Sequence, residues 1–403
     1  MKVKVNILLY ISYLIVVIGL FLYSYTQVDL NLTLSQWSIW QVIQKFFQHI
    51  GYFQRPLSTF FYVVIISLLF LFYFLFIRLA KVGKIRGIWG LIIAITIILT
   101  FSYNAFSYDL FNYMFDAKII THYHQNPYQH KALDYPGDPM LSFMHSTHRT
   151  YPYGPFWLIL TAPLSLGINF FLPTFFLFKS LTSLSFIGTA FFINKILKTV
   201  SPQNRILGTI FFALNPIVLI ESLVSSHNDI VMIFFAALGL YLLVKKSYFF
   251  SFLFLFLSIG IKFATILLLP VFIYIVIKQL KNHVIDFRKV FMIIFILMCA
   301  SVAITSFASG SNKNPELQAW YFLMAFTFAV LVAQKRIVLL LTICVSFGML
   351  VSYIPYLLKG EWPKDIVDLK IKLLIYSVAI GYLLFILSSK RVLSVIKHIF
   401  SSI

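Results

Sequence analysis

The feature that most limits what this chain can fold into is a run of about 20 apolar residues, repeated along the whole length. Thirteen such runs can be marked, at roughly 7–24, 58–78, 88–102, 154–171, 174–194, 206–222, 229–244, 248–260, 264–278, 289–307, 319–333, 336–354 and 370–388. Their hydrophobicity is continuous rather than alternating. In lipid only α-helices and closed barrels satisfy every backbone polar group, and continuous runs select helices. Composition agrees: 61% of residues are hydrophobic and 11% charged, against roughly 45–50% and about 25% in soluble domains. The expectation is an all-α, polytopic, multi-pass protein of the cell membrane, one membrane domain over 1–403 with no separate soluble domain.

The 32 Lys and Arg against 12 Asp and Glu give a formal charge of +20. Basic residues anchor cytoplasmic helix ends against membrane lipids, so this excess calls for no nucleic-acid partner. The two cysteines, Cys299 and Cys344, lie inside apolar runs and indicate neither a disulfide framework nor a metal site. No small-residue cleavage site follows the first run before Tyr23, Tyr25 and Gln27, so it reads as a retained helix. Between 28 and 57, Ser35 is placed to cap a short interfacial helix with Trp37, Trp40, Ile43, Phe46, Phe47 and Ile50 on its apolar side.

Charge also sets topology. With the N-terminus inside, the turn with Lys81, Lys84 and Arg86 is cytoplasmic and the segment 103–153 is outside. If every later run crossed, the basic connections at 195–205, 245–246, 278–289 and 335–336 would lie outside, with Lys390, Arg391 and Lys397. One run in 154–194 that does not cross returns them all to the cytoplasm. The short, proline-bounded stretch after Pro155 is the candidate. About twelve full spans and one partial one are expected, with the Ser309–Gln318 and Pro355–Asp368 loops outside.

Polar chemistry is concentrated in two places. The segment 103–153 holds Asp109, Asp116, Asp134 and Asp138, and five of the nine histidines: His122, His124, His130, His145 and His148. A helix from Phe106 to about His122 would place Asp109, Asn112, Tyr113 and Asp116 at i, i+3, i+4 and i+7, one polar stripe. Paired carboxylates serve as a general base and a substrate or metal ligand. The loop ends in Arg149-Thr-Tyr-Pro-Tyr153-Gly-Pro, and a planar guanidinium on the outer face suits phosphate oxygens. The histidines lack zinc-type spacing and read as solvated loop residues.

The second place is Asn215-Pro-Ile-Val-Leu-Ile-Glu221-Ser-Leu-Val-Ser-Ser-His227-Asn228-Asp229. An acid near the end of an apolar span is costly and functional by default. Helix capping accounts for Asn228 or Asp229, but not for Glu221 and His227. Lys262, between two apolar runs, either snorkels or meets a phosphate.

The ordered set SYDLFNYMFDAKII, NPY, YPYGPFW, NPIVLIESLVSSHND and IKFATILLLP, from Ser102 to Pro270, resembles the GT-C fold membrane glycosyltransferases. It is similar above all to the bacterial polyprenol-phosphate-mannose-dependent mannosyltransferases. Glu221 departs from the His or small residue of those enzymes, and their large C-terminal soluble domain has no counterpart. The resemblance implies a helical bundle of about 12–13 transmembrane helices whose outer loop carries short interfacial helices. It implies transfer of a sugar, mannose foremost, from a polyprenyl-phosphate donor to a glycan or glycolipid acceptor on the extracytoplasmic side. Asp109 would be the base and Asp116 its catalytic neighbour. Asn112, Tyr113, Tyr153, Glu221, His227, Asn228 and Asp229 would hold substrate, and Arg149 and Lys262 the phosphate. Relatives differ in using a divalent metal, which the sequence leaves open. A transporter or lipid flippase is the alternative; it calls for ionisable groups near mid-membrane and an internal repeat.

Overall fold

Among the described residues each of the thirteen apolar runs is helical, and the run at 206–222 is split into two helices. The computed structural model describes residues 2–309 and 316–388, and it is helical with no strand among the described residues beyond one isolated bridge, Lys131 to Thr150. Lys390, Arg391 and Lys397 lie outside the described residues, as does most of the 309–318 loop.

Among the described residues, seven helices are long and apolar enough to cross a membrane: Asn6–Gln27, Arg55–Lys81, Phe171–Val200, Phe263–Leu280, Phe287–Ala308, Arg336–Lys359 and Ile366–Leu387. Pro202–Ala213 and Pro216–Val224, bent by 55° at their junction, would make an eighth. Five apolar helices are shorter: Ile88–Thr100, Pro155–Ser165, Asp229–Val244, Tyr248–Ile259 and Ala319–Val332. Length alone therefore supports fewer complete spans than the run count suggested.

Contacts at the helix ends sort the chain into two faces. At the basic face, Asn6 Nδ2 donates to the Lys84 carbonyl at 3.0 Å and Tyr10 Oη to that of Arg86 at 2.7 Å. There too Arg336 Nη1 donates to the Ser388 carbonyl at 2.6 Å. A cleft of about 770 Å³ brings Val200, Lys246, His283 and Arg288 together at that face. At the other face, Tyr25 Oη donates to the Phe101 carbonyl at 2.6 Å, and Lys370 Nζ to Gln318 Oε1 at 2.7 Å. The acids of the two sequence clusters gather there.

Pro155–Ser165 begins and finishes on this acidic face. Ser165 Oγ pairs with Thr121 Oγ1 at 2.9 Å, and Phe171, which opens the next helix, packs on Phe111 and Phe143 at 6.2 and 5.6 Å between ring centroids. Eleven residues span only about 16 Å at 1.5 Å per residue, roughly half of a ~30 Å hydrocarbon core. That length is short of a complete crossing.

The core lies along 207–233, where every residue is buried. Ile366–Leu387 is peripheral, with Ile375, Tyr376, Ile380 and Leu383 exposed. It meets Arg336–Val351 at Gly348 and Gly381, where a Cβ would stand 2.0 Å from Ser377 Oγ and 3.0 Å from Leu341 Cδ2. Small residues let membrane helices approach closely.

Between the first two long spans, Ser38–Gln48 is the interfacial helix. Trp37, not Ser35, precedes it, and Ser35 Oγ accepts from the Trp37 N–H at 3.2 Å, two residues early. Gln44 and Gln48 are buried and donate to the carbonyls of Leu32 and Asp29 at 2.6 and 3.0 Å, while Trp37, Ile39, Val42 and Phe46 face outward. In the 103–153 loop, Asp138 pairs with Lys118, accepts from Tyr123 Oη at 2.6 Å and caps Met140 at 2.9 Å. Asp134 Oδ2 accepts from the Lys131 N–H at 3.0 Å. Two of the four loop acids thus hold the loop's own shape.

In a background lacking Cys299 and Cys344, single cysteines at Ser142, Asn169 and Asn282, all exposed, test this topology. A membrane-impermeant thiol reagent should label Ser142→Cys and Asn169→Cys from one side and Asn282→Cys from the other. Labelling of Asn169→Cys from the Asn282 side would mean that Pro155–Ser165 crosses after all.

Candidate active site

Three segments build the site. The first is the helix Asp109–Thr121, which starts where Ser107 Oγ accepts the Asp109 N–H at 3.1 Å. An acid in the first turn also suits the positive end of the helix dipole. Its apolar residues Leu110, Phe111, Met114 and Phe115 are buried, and so are Asn112 and Tyr113 of the stripe Asp109, Asn112, Tyr113 and Asp116, so the helix is packed on both sides. Tyr113 Oη donates to Asn228 Oδ1 at 3.4 Å, with its ring edge-on to Tyr153 and Trp157, both at 5.3 Å.

The second segment is the broken helix. Asn215 Oδ1 accepts from the Ile217 N–H at 3.2 Å and from Ser346 Oγ at 2.6 Å, so Asn-Pro caps a new helix start at the bend. The chain then widens into a π-helical turn, Ile220–Val224, a form often found at functional sites. The carbonyls of Leu223 and Val224 are taken up by the fully buried Lys179, whose Nζ also donates to Ser102 Oγ at 3.0 Å. Ser226 follows with φ +56°, a left-handed conformation uncommon for a residue with a Cβ. This irregular path delivers His227 between two acids. Its Nδ1 lies 3.5 Å from Asp109 Oδ2 and its Nε2 lies 3.3 Å from Glu221 Oε2. The imidazole stacks on Trp320 at 4.1 Å, and Tyr353 Oη donates to Glu221 Oε1 at 2.9 Å.

The third segment is the Tyr-Pro-Tyr-Gly-Pro turn. It docks on the end of Tyr248–Ile259: the Gly154 N–H donates to the Ile261 carbonyl at 3.0 Å and the Phe156 N–H to that of Gly260 at 2.9 Å. Only glycine fits, because a Cβ at Gly154 would stand 2.3 Å from the Gly260 carbonyl oxygen. The docking places Lys262 Nζ 5.3 Å from the centre of the Tyr153 ring and 2.6 Å from Asp229 Oδ2. Arg149 Nη2 reaches Asp109 Oδ1 at 3.5 Å.

All eleven residues expected from sequence meet in this one region. The capping account of Asn228 and Asp229 does not hold: Asn228 makes no side-chain cap, its oxygen serves Tyr113, and Asp229 is held by Lys262. Sequence reasoning missed Trp320, Tyr353 and Lys179. Lys179 was the visible one, a lysine in the middle of an apolar run. Trp320 and Tyr353 sit in runs that read as plain spans.

Electrostatics distinguish the two catalytic candidates. Burial pushes the Asp109 carboxyl up, but His227, Arg149 and Lys262 outweigh it and hold the group below the usual range. Burial works to lower His227, and Asp109 and Glu221 reverse that, raising it to about 9. Asp116, half-buried, is pushed up to about 7 by burial, against Arg149 and with help from Asp109. Near neutral pH the site therefore holds an ionised Asp109, an imidazolium and a second carboxyl close to its titration point. Several buried polar atoms have no well-formed hydrogen bond: Asn112 Nδ2, Glu221 Oε2, Asn228 Nδ2, Asp229 Oδ1 and both ring nitrogens of His227. Among the described residues no group of three or more His, Cys, Asp and Glu is arranged to hold a metal ion.

Residues 11–278 match the model of the MptA_B family, alpha-(1->6)-mannopyranosyltransferase, N-terminal domain. That is about two thirds of the chain and includes the site residues from Asp109 to Lys262, but not Trp320 or Tyr353. No curated protein and no solved structure matches the chain.

Two outcomes test this geometry. Gly154→Ala should destabilise the purified protein by about 1–3 kcal/mol through overpacking, more than Gly260→Ala, where a Cβ meets Phe156 Cβ at 3.0 Å; denaturation of both variants in detergent checks the order. His227 has a raised pKa, so its pairing contributes fully below the ordinary imidazole value near ~6.5 and is lost as pH rises through about 9. Thermal stability of the wild type should fall across that window, and His227→Gln should lack that step.

Proposed function

The chain belongs to the alpha-(1->6)-mannopyranosyltransferase family and is a mannosyltransferase of the membrane, and on that premise we propose its donor, its mechanism and its side of action. The donor is a mannosyl polyprenyl phosphate, the acceptor a glycan or glycolipid hydroxyl, and Asp109 the general base. The observation that carries this reading is the joining of Asp109, Arg149, His227, Asp229 and Lys262 at one end of an otherwise apolar bundle.

A carrier phosphate has a second pKa near ~6, so it can leave without protonation of its bridging oxygen. The reaction then needs a base for the acceptor proton and cations for the departing charge. Asp109, ionised, takes the proton of the acceptor hydroxyl as that oxygen bonds to the anomeric carbon. The bond from the anomeric carbon to the phosphate oxygen breaks, its electron pair stays on the phosphate, and Arg149 and Lys262 meet the charge. Guanidinium and ammonium differ usefully here: the first can clamp two oxygens, the second is a point charge. His227, fully buried and held by Glu221, fixes the Asp109 carboxylate. In-line displacement inverts the anomeric centre, so an α product calls for a β-linked donor.

The charge asymmetry supports an extracytoplasmic site, because the basic loops lie at the opposite face. The ionisable groups sit at one end of the bundle rather than in paired half-helices at mid-membrane, which leaves the transporter alternative without support.

Reconstitution in proteoliposomes with labelled β-mannosyl polyprenyl phosphate and an α-(1→6)-mannoside acceptor tests the proposal. Wild type should release polyprenyl phosphate and elongate the acceptor. Asp109→Asn should lose about 10²- to 10⁴-fold in kcat while binding donor within a few-fold of wild type. Full activity in Asp109→Asn would remove it as the base.

A further inference from the structure

A second polar cluster adjoins Asp109 and takes no part in the mechanism above. It is assembled from five separate stretches: Asp29 after the first span, Tyr52 before the second, Tyr108 immediately ahead of Asp109, His145 in the outer loop, and Tyr356 and Trp362 at the end of Arg336–Lys359. Tyr108 Oη donates to Asp29 Oδ2 at 3.3 Å, and the Tyr108 ring lies parallel to His145 at 3.7 Å and 9°. The side chains of Tyr52 and Tyr356 both interact with Tyr108, and Asp29 acts electrostatically on Tyr52, Tyr108, His145 and Tyr356 alike. Tyr356 stacks on Trp362 at 4.8 Å, and Trp362 lies 6.1 Å from Tyr353, the residue that donates to Glu221. The two clusters therefore share a border.

Interfacial aromatic residues often serve only as membrane anchors. Anchors point outward singly, as Trp37 and Phe46 do here. These rings instead stack in pairs around one half-buried carboxylate, with His145 and Trp362 exposed at the edge. Apolar faces with a few placed polar groups suit a small-molecule site, and the C–H face of a pyranose packs on such rings while its hydroxyls reach a carboxylate. Two cations border the cluster: Arg55 lies across Tyr52 at 5.4 Å and acts on Tyr356, and Lys370 Nζ lies 5.1 Å from the centre of the Trp362 ring. Arg55 is seated by Gly360, at φ +86°, where a Cβ would stand 2.4 Å from Arg55 Cζ.

We propose that Asp29, Tyr108, Tyr356 and Trp362 form a subsite for a neutral mannose residue of the acceptor glycan. It rests on the mannosyl-transfer reading above and adds which end of the site the acceptor enters: past Tyr108 to Asp109, with the phosphate held by Lys262 and Arg149.

Binding of α-(1→6)-linked mannotriose to the detergent-solubilised full chain, read by calorimetry, needs no donor. Asp29→Asn and Trp362→Ala should each weaken it about tenfold, Trp362→Phe should stay within about threefold, and Lys262→Met within about twofold. Trp362 is 41% exposed, so its truncation spares the core, and a matching size-exclusion profile confirms folding. Absence of saturable mannotriose binding to wild type, or unchanged binding in both Asp29→Asn and Trp362→Ala, overturns the subsite. The transfer assay separates the two readings. If wild type transfers mannose and Asp29→Asn keeps the acceptor KM, the subsite falls and the function stands. If mannotriose binding depends on Asp29 and Trp362 but polyprenyl phosphate donors are not used, the donor falls and the subsite stands.

Discussion

A charge removed from water must be paired, and the chain Asp109–His227–Glu221 meets that requirement across two otherwise separate parts of the molecule. Asp109 belongs to the loop after Ile88–Thr100, while His227 and Glu221 belong to the bent helix at the core. Removing one partner of a buried pair leaves an uncompensated charge, which is far costlier than the pair is stabilising. The loop is thus bound to the core by the need for neutrality as well as by packing. Arg149 and Lys262 extend the same logic outward, each beside a carboxylate that substrate phosphate would compete with.

The backbone is distorted to make that pairing possible. A regular helix from Pro216 onward would leave no irregular turn to bring His227 back over Glu221. The π-helical turn at Ile220–Val224 and the left-handed Ser226 supply one, and the carbonyls they leave unpaired are taken by the ammonium of Lys179. Irregular backbone at membrane depth is tolerated only where protein satisfies it. Lys179 is the satisfying group, which explains a fully buried lysine on a helix where an aliphatic residue would pack more cheaply.

Topology serves the same end. Because Pro155–Ser165 begins and ends on the acidic face, the loop before it lies on that side and the next helix starts there. The glycine contact between Gly154 and Gly260 then locks Tyr153 against Lys262. Without that return, the segment carrying Glu221 to Asp229 would end on the opposite face from Asp109.

Much was legible in the sequence. Continuous apolar runs fix helices because lipid offers the backbone no other partner. The polar stripe of Asp109, Asn112, Tyr113 and Asp116 and the acids around His227 stood out because charge is rare in such a chain. Local reading failed where partners are distant along the chain. It placed the helix cap at Ser35, two residues early, and passed over Trp320 and Tyr353. Those assignments depend on which side chain arrives from another helix, and no spacing within a single run encodes that. Sequence determined the helices and the list of polar residues, since those follow from transfer into lipid. Only the tertiary structure decided which acid meets which cation, because pairing in a low-dielectric interior is settled by the few ångströms that packing imposes.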